Sequence, residues 1–163
     1  KHVAAGDEVR IFLLGDGEMA RGSGDVAKRQ AQARQAAEIL GAKDVILDNL
    51  PDQRFDTIPL LEIIQKVEQK ILEFKPNIIY THCPYDLNLD HRLTFQAALT
   101  ASRPGWSIKK LLSFESLSST EWQIKDQARA FCPTVYNDIS EFIDKKIEAL
   151  KVYKNEIRQI KSC

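Results

Sequence analysis

Cysteine is scarce: Cys83, Cys132 and Cys163 are the only three in 163 residues. An odd count at wide spacing excludes a disulfide framework and a Cys-type zinc site, and suggests reduced thiols in a cytoplasmic protein. Cys83 sits beside a polar cluster, but its plainer role is a small residue packed at a strand end. An excess of charge is also missing, with 23 basic against 23 acidic residues. That balance gives no electrostatic reason to expect nucleic acid as a partner. No apolar run approaches the roughly 20 residues of a membrane span, and the start, KHVAAGDEVR, has no apolar core of a signal peptide. Histidine is limited to His2, His82 and His91, and none precedes proline.

What is present is a core and a pattern. Hydrophobic residues make up 44% of the chain, enough for one folded domain. VRIFLLG (9–15) reads as a strand buried on both faces, followed by a Gly-rich loop, GDGEMARGSGD (15–25). Asp25 is positioned to cap a helix that ends at Gly41, with a weak apolar stripe of Ala27, Ala31, Arg34 and Ala37 aided by Ile39 and Leu40. DVILDNL (44–50) predicts a second strand and LLEIIQKVEQKILEF (60–74) an amphipathic helix stopped by Pro76. NIIYTH (77–82), then a helix over 92–102, then IKKLLSFES (108–116) continue the alternation. TVYNDI (134–139) is a weak fifth strand, and the last segment, 140–160, is a helix with Ser140 as its N-cap. VAAG at the start reads as a helix tail turning at Gly6.

Alternating strands and helices predict an α/β fold with a mostly parallel sheet covered on both faces. Ligands of such sheets bind beyond the carboxyl ends of the strands. The polar clusters fall there: 16–18, 52–56, 82–91 and 115–121, four loops expected to converge on one crevice. In the loop at 115–121 no role is forced by spacing, so it reads as a polar loop anchored by Trp122. The Gly-rich loop matches no nucleotide-binding fingerprint, and Asp16 and Glu18 would repel phosphate.

The most informative stretch is YDLNLDHRL (85–93). His91 suits a metal ligand, Asp90 an orienting carboxylate, and Asn88 a hydrogen-bond donor to a developing oxyanion. Asp86, Asp90 and His82 are stand-in ligands. The plainer reading is an Asp or Asn cap with His91 in the first turn of the next helix. One histidine and carboxylates permit zinc, iron or manganese.

VAAGDEVRIFLLGDGE, AAEILGAKDVILDNLPDQRFD, PNIIYTHCPYDLNLDHR and LLSFESLSSTEW, in that order, resemble the PIG-L/LmbE family of zinc-dependent N-acetylglucosamine deacetylases. The resemblance runs through nearly all of the chain, and NLDHR before a helix is its most specific part. It implies a Rossmann-like three-layer α/β/α sandwich and a hydrolase that removes an N-acetyl group from an amino sugar, with Zn2+ as cofactor. It makes His91 a metal ligand and Asp90 the acidic residue that pairs with a catalytic group. It places Asn88 where many relatives carry histidine; asparagine donates a hydrogen bond but transfers no proton, so the acid role is unfilled or passes to a residue such as His82. It makes Arg29 and, by a looser match, Asp56 substrate contacts.

The family's first motif, H-P-D-D-E, supplies two metal ligands and the general base, and is not among these residues. The expectation is therefore a single domain over 1–163, incomplete at its N-terminus and short at its C-terminus, with an unfinished zinc site and no turnover of its own. The alternative is a degenerate relative that binds a sugar or a partner without hydrolysis. The implied partners are a small-molecule amino sugar and, through an open sheet edge, a second copy as a homo-oligomer; nucleic acid and a membrane span are not expected.

Overall fold

A computed structural model of the chain describes residues 1–18, 24–117, 119–123 and 129–154. They fall into two units, one of residues 1–52 with 135 onward, the other of residues 53–134.

In the first unit, β1 (Arg10–Gly15) and β2 (Asp44–Leu50) pair in parallel, in register from Arg10 opposite Asp44 to Leu13 opposite Leu47. A helix, α1 (Val26–Leu40), connects them. Its ends follow the sequence: the Asp25 carboxylate accepts the Lys28 N–H at 2.9 Å, and Gly41 takes the left-handed conformation (φ 77°) that closes the last turn. Asp25→Ala is expected to cost about 1 kcal/mol, measured as a lowered denaturant midpoint; no change would leave the cap without energetic weight. The buried stripe of α1 differs from expectation. Ala33, Ala36 and Ala37 are buried, whereas Ala27, Ala31 and Arg34 are exposed. Contact with the strands selects the face, since Ala33 and Ala37 cluster with Val45, flanked by Ile11, Leu13 and Leu47. Of β1 only Leu14 is fully buried. The initial turn is a single 3-10 turn, Val3–Ala5, closed by Gly6 at φ 87°.

The segment 134–139 is not a strand. Val135 and Tyr136 are exposed and no described strand pairs with them. Asp138 instead accepts the Ser140 N–H and hydroxyl at 2.9 and 2.6 Å. A side chain that folds back on the backbone two residues ahead opens a helix rather than extending a strand. Ser140 therefore starts a 3-10 turn (Ser140–Phe142) instead of capping, and the last described helix, α4 (Ile143–Lys151), follows. It packs on α1, where Gln32 Nε2 donates to the Val152 carbonyl at 2.9 Å. Residues 155–160 of the expected helix lie outside the described residues.

In the second unit, α2 (Leu60–Phe74) buries Ile63, Ile64, Val67 and Ile71 at helical spacing. It packs against α3 (Leu89–Ala101), which buries Ala97, Ala98 and Ala101; small residues allow the close approach. β3 (Ile78–His82) and β4 (Lys110–Phe114) pair in parallel without a register break, Ile78 opposite Lys110 and His82 opposite Phe114. Each unit thus holds one strand–helix–strand element with parallel strands. Among the described residues, no helix is long and apolar enough to cross a membrane.

Candidate functional site

The polar cluster of the second unit lies at the carboxyl ends of β3 and β4. β3 ends at His82, and the chain turns through 83–88 into α3. Two side-chain oxygens shape that turn in succession. Asp86 Oδ1 accepts the Asn88 N–H at 2.8 Å, and Asn88 Oδ1 accepts the Asp90 N–H at 2.9 Å. Asn88 is the N-cap of α3, as the plainer reading had it. Its carboxamide oxygen is engaged there, and its NH2 group is the part suited to donate elsewhere. Arg92 staples the same turn by donating to the Asp86 and Leu87 carbonyls, both at 2.7 Å.

Asp86 is the hub, with 0% of its surface exposed. Oδ1 faces His91 Nδ1 at 3.1 Å, while Oδ2 accepts the hydroxyls of Ser119 and Thr120, each at 2.8 Å. Thr120 Oγ1 in turn accepts the Ser116 N–H at 2.8 Å, bracing the loop after β4, which Ser119 and Thr120 tie to the loop after β3 through Asp86. Burial by itself would raise the Asp86 carboxyl. Hydrogen bonds from Ser119, Thr120 and the Asn88 N–H, together with His91, outweigh it and hold the group below its ordinary value.

His91, in the first turn of α3, has its ring face stacked on His82, with centroids 4.1 Å apart and planes 22° apart. His82 packs in turn against Phe114 at 5.0 Å. Burial, reinforced by His91 and only partly opposed by Asp86, lowers His82 to about 4. At that value the His82 ring is neutral at pH 7, with one nitrogen protonated and the other bare. Its Nδ1 is buried with no hydrogen-bond partner among the described residues. Cys83, next along, is buried, and burial pushes its thiol up, so it is a packing residue and not a nucleophile.

The remaining predicted residues fall in different surroundings. Asp90 is buried, and its oxygens accept the backbone N–H of Gln53 at 2.7 Å and of Phe55 at 3.1 Å. It clamps the turn after β2, and Asp56 lies on that same turn with its side chain exposed. Arg29 belongs to the first unit, where its Nε donates to Glu18 Oε1 at 2.7 Å and its guanidinium lies 5.5 Å from the centre of the Tyr153 ring. Of the four polar clusters, the second unit joins three, at 53–56, 82–91 and 115–121; Asp16 and Glu18 belong to the first. Ser119 and Thr120, read as a plain loop from the sequence, are buried partners of Asp86, whereas Trp122, read as an anchor, is 57% exposed. The usable signal was chemical: a wholly buried carboxylate needs several donors, and hydroxyls after the adjacent strand are the nearest supply.

Two relatives and one solved structure extend this picture. A probable N-acetyl-alpha-D-glucosaminyl L-malate deacetylase of Bacillus anthracis is 23% identical over 86% of this chain and 65% of its own length. An uncharacterized deacetylase of Escherichia coli K12, YaiS, is 28% identical over 82% of this chain and 69% of its own. The chain thus spans about two thirds of the length of the curated relatives it matches. A solved structure, the conserved protein TT1542 of Thermus thermophilus, matches with a TM-score of 0.76 at 20% identity, over 94% of this chain and 68% of that one. That likeness carries the fold, which is α/β and Rossmann-like. The family model described as PIG-L, GlcNAc-PI de-N-acetylase, matches residues 1–102, and the chain belongs to the PIG-L family.

Proposed function

We propose that this chain is the body of an amide hydrolase that removes the N-acetyl group from a GlcNAc-type amino sugar. Family membership and two deacetylase relatives support the reaction class. The observation that carries it to a site is His91, whose Nδ1 lies 3.1 Å from a buried carboxylate. Metal-ligating imidazoles characteristically use one nitrogen in this way and present the other to the metal. The family match runs across both units, which supports reading 1–163 as one PIG-L/LmbE-like domain.

Zinc fits this arrangement at one donor only. Among the described residues, no three His, Cys, Asp or Glu side chains are grouped to hold a metal ion. Of the described residues, His91 is the metal donor this reading uses. What they do is position. Asp86 orients His91, Asp90 fixes the turn carrying Asp56, and Asn88 presents an NH2 group suited to a developing oxyanion. The exposed Asp56 carboxylate is the substrate contact this proposal uses in the second unit; the same role for Arg29 is what the family resemblance implies. Asp90, with backbone amides on its carboxylate, acts as a positioning residue. A cytoplasmic setting belongs to this proposal on the sparse, widely spaced cysteines of the sequence.

The test is acetate release from N-acetylglucosaminyl compounds by the full gene product supplied with zinc. His91→Ala is expected to lower turnover on the order of 100-fold or more. Sugar binding with no acetate release from the folded protein would favour the degenerate, non-catalytic relative.

A further inference from the structure

We propose that Asp86 is the positioning residue of this site: it locks His91 in the tautomer that carries its proton on Nδ1, so that Nε2 is the ring's one lone pair. The inference rests on the reading of His91 as the functional imidazole, and it assigns a role to a residue that the expected catalytic set does not contain.

The geometry leaves the two groups little choice. An ionised carboxylate only accepts hydrogen bonds. At 3.1 Å from Asp86 Oδ1, a bare Nδ1 lone pair would face the carboxylate's negative charge, whereas an Nδ1–H dipole is attracted to it. Asp86 cannot swing away to release it. Oδ2 is held by the Ser119 and Thr120 hydroxyls, Oδ1 also takes the Asn88 N–H, and the side chain has no exposed surface. The two sides of the cage come from different parts of the chain, the turn after β3 and the loop after β4. The His91 ring is fixed in a second direction as well. The stacked His82 ring, itself backed by Phe114, covers one face. Ser119 Oγ, 3.5 Å from Nδ1, gives its own proton to Asp86 and toward Nδ1 can only accept, which favours the same tautomer. An imidazole with a carboxylate against Nδ1 and a ring on one face leaves Nε2 as the nitrogen for a ligand or a proton at the strand ends.

The experiment is nitrogen-15 NMR of the His91 ring in chelator-treated protein at a pH where the ring is neutral, together with acetate release by the full gene product. The wild-type spectrum is expected to show Nδ1 protonated and Nε2 bare. In Asp86→Ala the preference should pass to Nε2–H or a mixture, and turnover should fall roughly 10- to 100-fold. Ser119→Ala serves as the comparison. It thins the cage but leaves the carboxylate on Nδ1, so the tautomer should stay as in wild type. A merely structural role for Asp86 would instead make the two variants alike. Should Asp86→Ala fail to fold, the wild-type spectrum still decides, since an Nε2–H tautomer there overturns the proposal. An unchanged tautomer in a folded Asp86→Ala overturns it too. The underlying site reading fails separately: it falls if His91→Ala leaves acetate release by the full gene product unchanged while the wild-type tautomer is as expected.

Discussion

Asp90→Ala is expected to lower the stability of the chain by about 3–6 kcal/mol, the sum of two hydrogen bonds to a charged group at roughly 1.5–3 kcal/mol each. Two backbone donors, Gln53 N–H and Phe55 N–H, lose their acceptor, and Phe55 is buried, so water does not readily replace it. The turn is also strained, with Gln53 in the left-handed region at φ 56°. That conformation costs a residue other than glycine roughly 1–2 kcal/mol, and the Asp90 carboxylate is what holds it. Asp90→Asn should recover little, because its NH2 group would face one of the two donors. Thermal unfolding is the measurement. For a chain of this size the loss corresponds to a fall in Tm of roughly 10 °C. A variant that melts within about 2 °C of wild type but has lost turnover would reverse the assignment and make Asp90 a reacting group.

The second large effect is a pH dependence set by His82. In the unfolded chain a histidine takes up its proton near 6.5, whereas folded His82 resists until about 4 because it is buried and faces His91. Between those values the unfolded state binds more protons. Stability therefore falls as pH drops through that window, by up to about 3 kcal/mol in total, and this contribution is constant below it. Asp86 acts in the next window. Its carboxyl is lowered, so the stability it adds is present above the ordinary carboxylate range and is lost as pH falls through its folded value. The neighbours that face His82 are His91, Asp86 and Phe114, and none replaces the proton acceptor that its buried Nδ1 lacks. The measurement compares Tm at pH 7.5 and 4.5 for chelator-treated wild type and His82→Phe, which keeps a ring against His91 but cannot titrate. The drop should be smaller in the variant by roughly 10 °C. Equal drops would mean that His82 is protonated in the fold.

Some of this was legible because it is local. Asp25 caps α1 and Gly41 ends it, β2 spans 44–50, and the stripe of α2 is buried at 63, 64, 67 and 71. Each follows from backbone sterics or apolar periodicity within one segment. The failures were equally physical. At 134–139 strand propensity lost to Asp138, whose carboxylate is better used on Ser140, and no described partner strand rewards extension. In α1 alanines lie on several faces, so periodicity could not choose which would meet Val45.

The site divides along the same line. The sequence by itself determined that a strand ends in His82, that a helix follows, read as 92–102 and found at Leu89–Ala101, and that carboxylates, an asparagine and His91 crowd the junction, because hydrophobic period and capping chemistry act over a few residues. It also carried enough of a motif for its family to be recognised. Only the tertiary structure decided which carboxylate does what. Asp86 and Asp90 are four positions apart and chemically identical; Asp86 meets Ser119 and Thr120 from 33 and 34 positions away, and Asp90 meets Gln53 and Phe55 from 37 and 35. A buried charge takes its role from the donors that surround it, and those donors are brought together by the pairing of β3 with β4 and by the packing of α3 on the turn after β2.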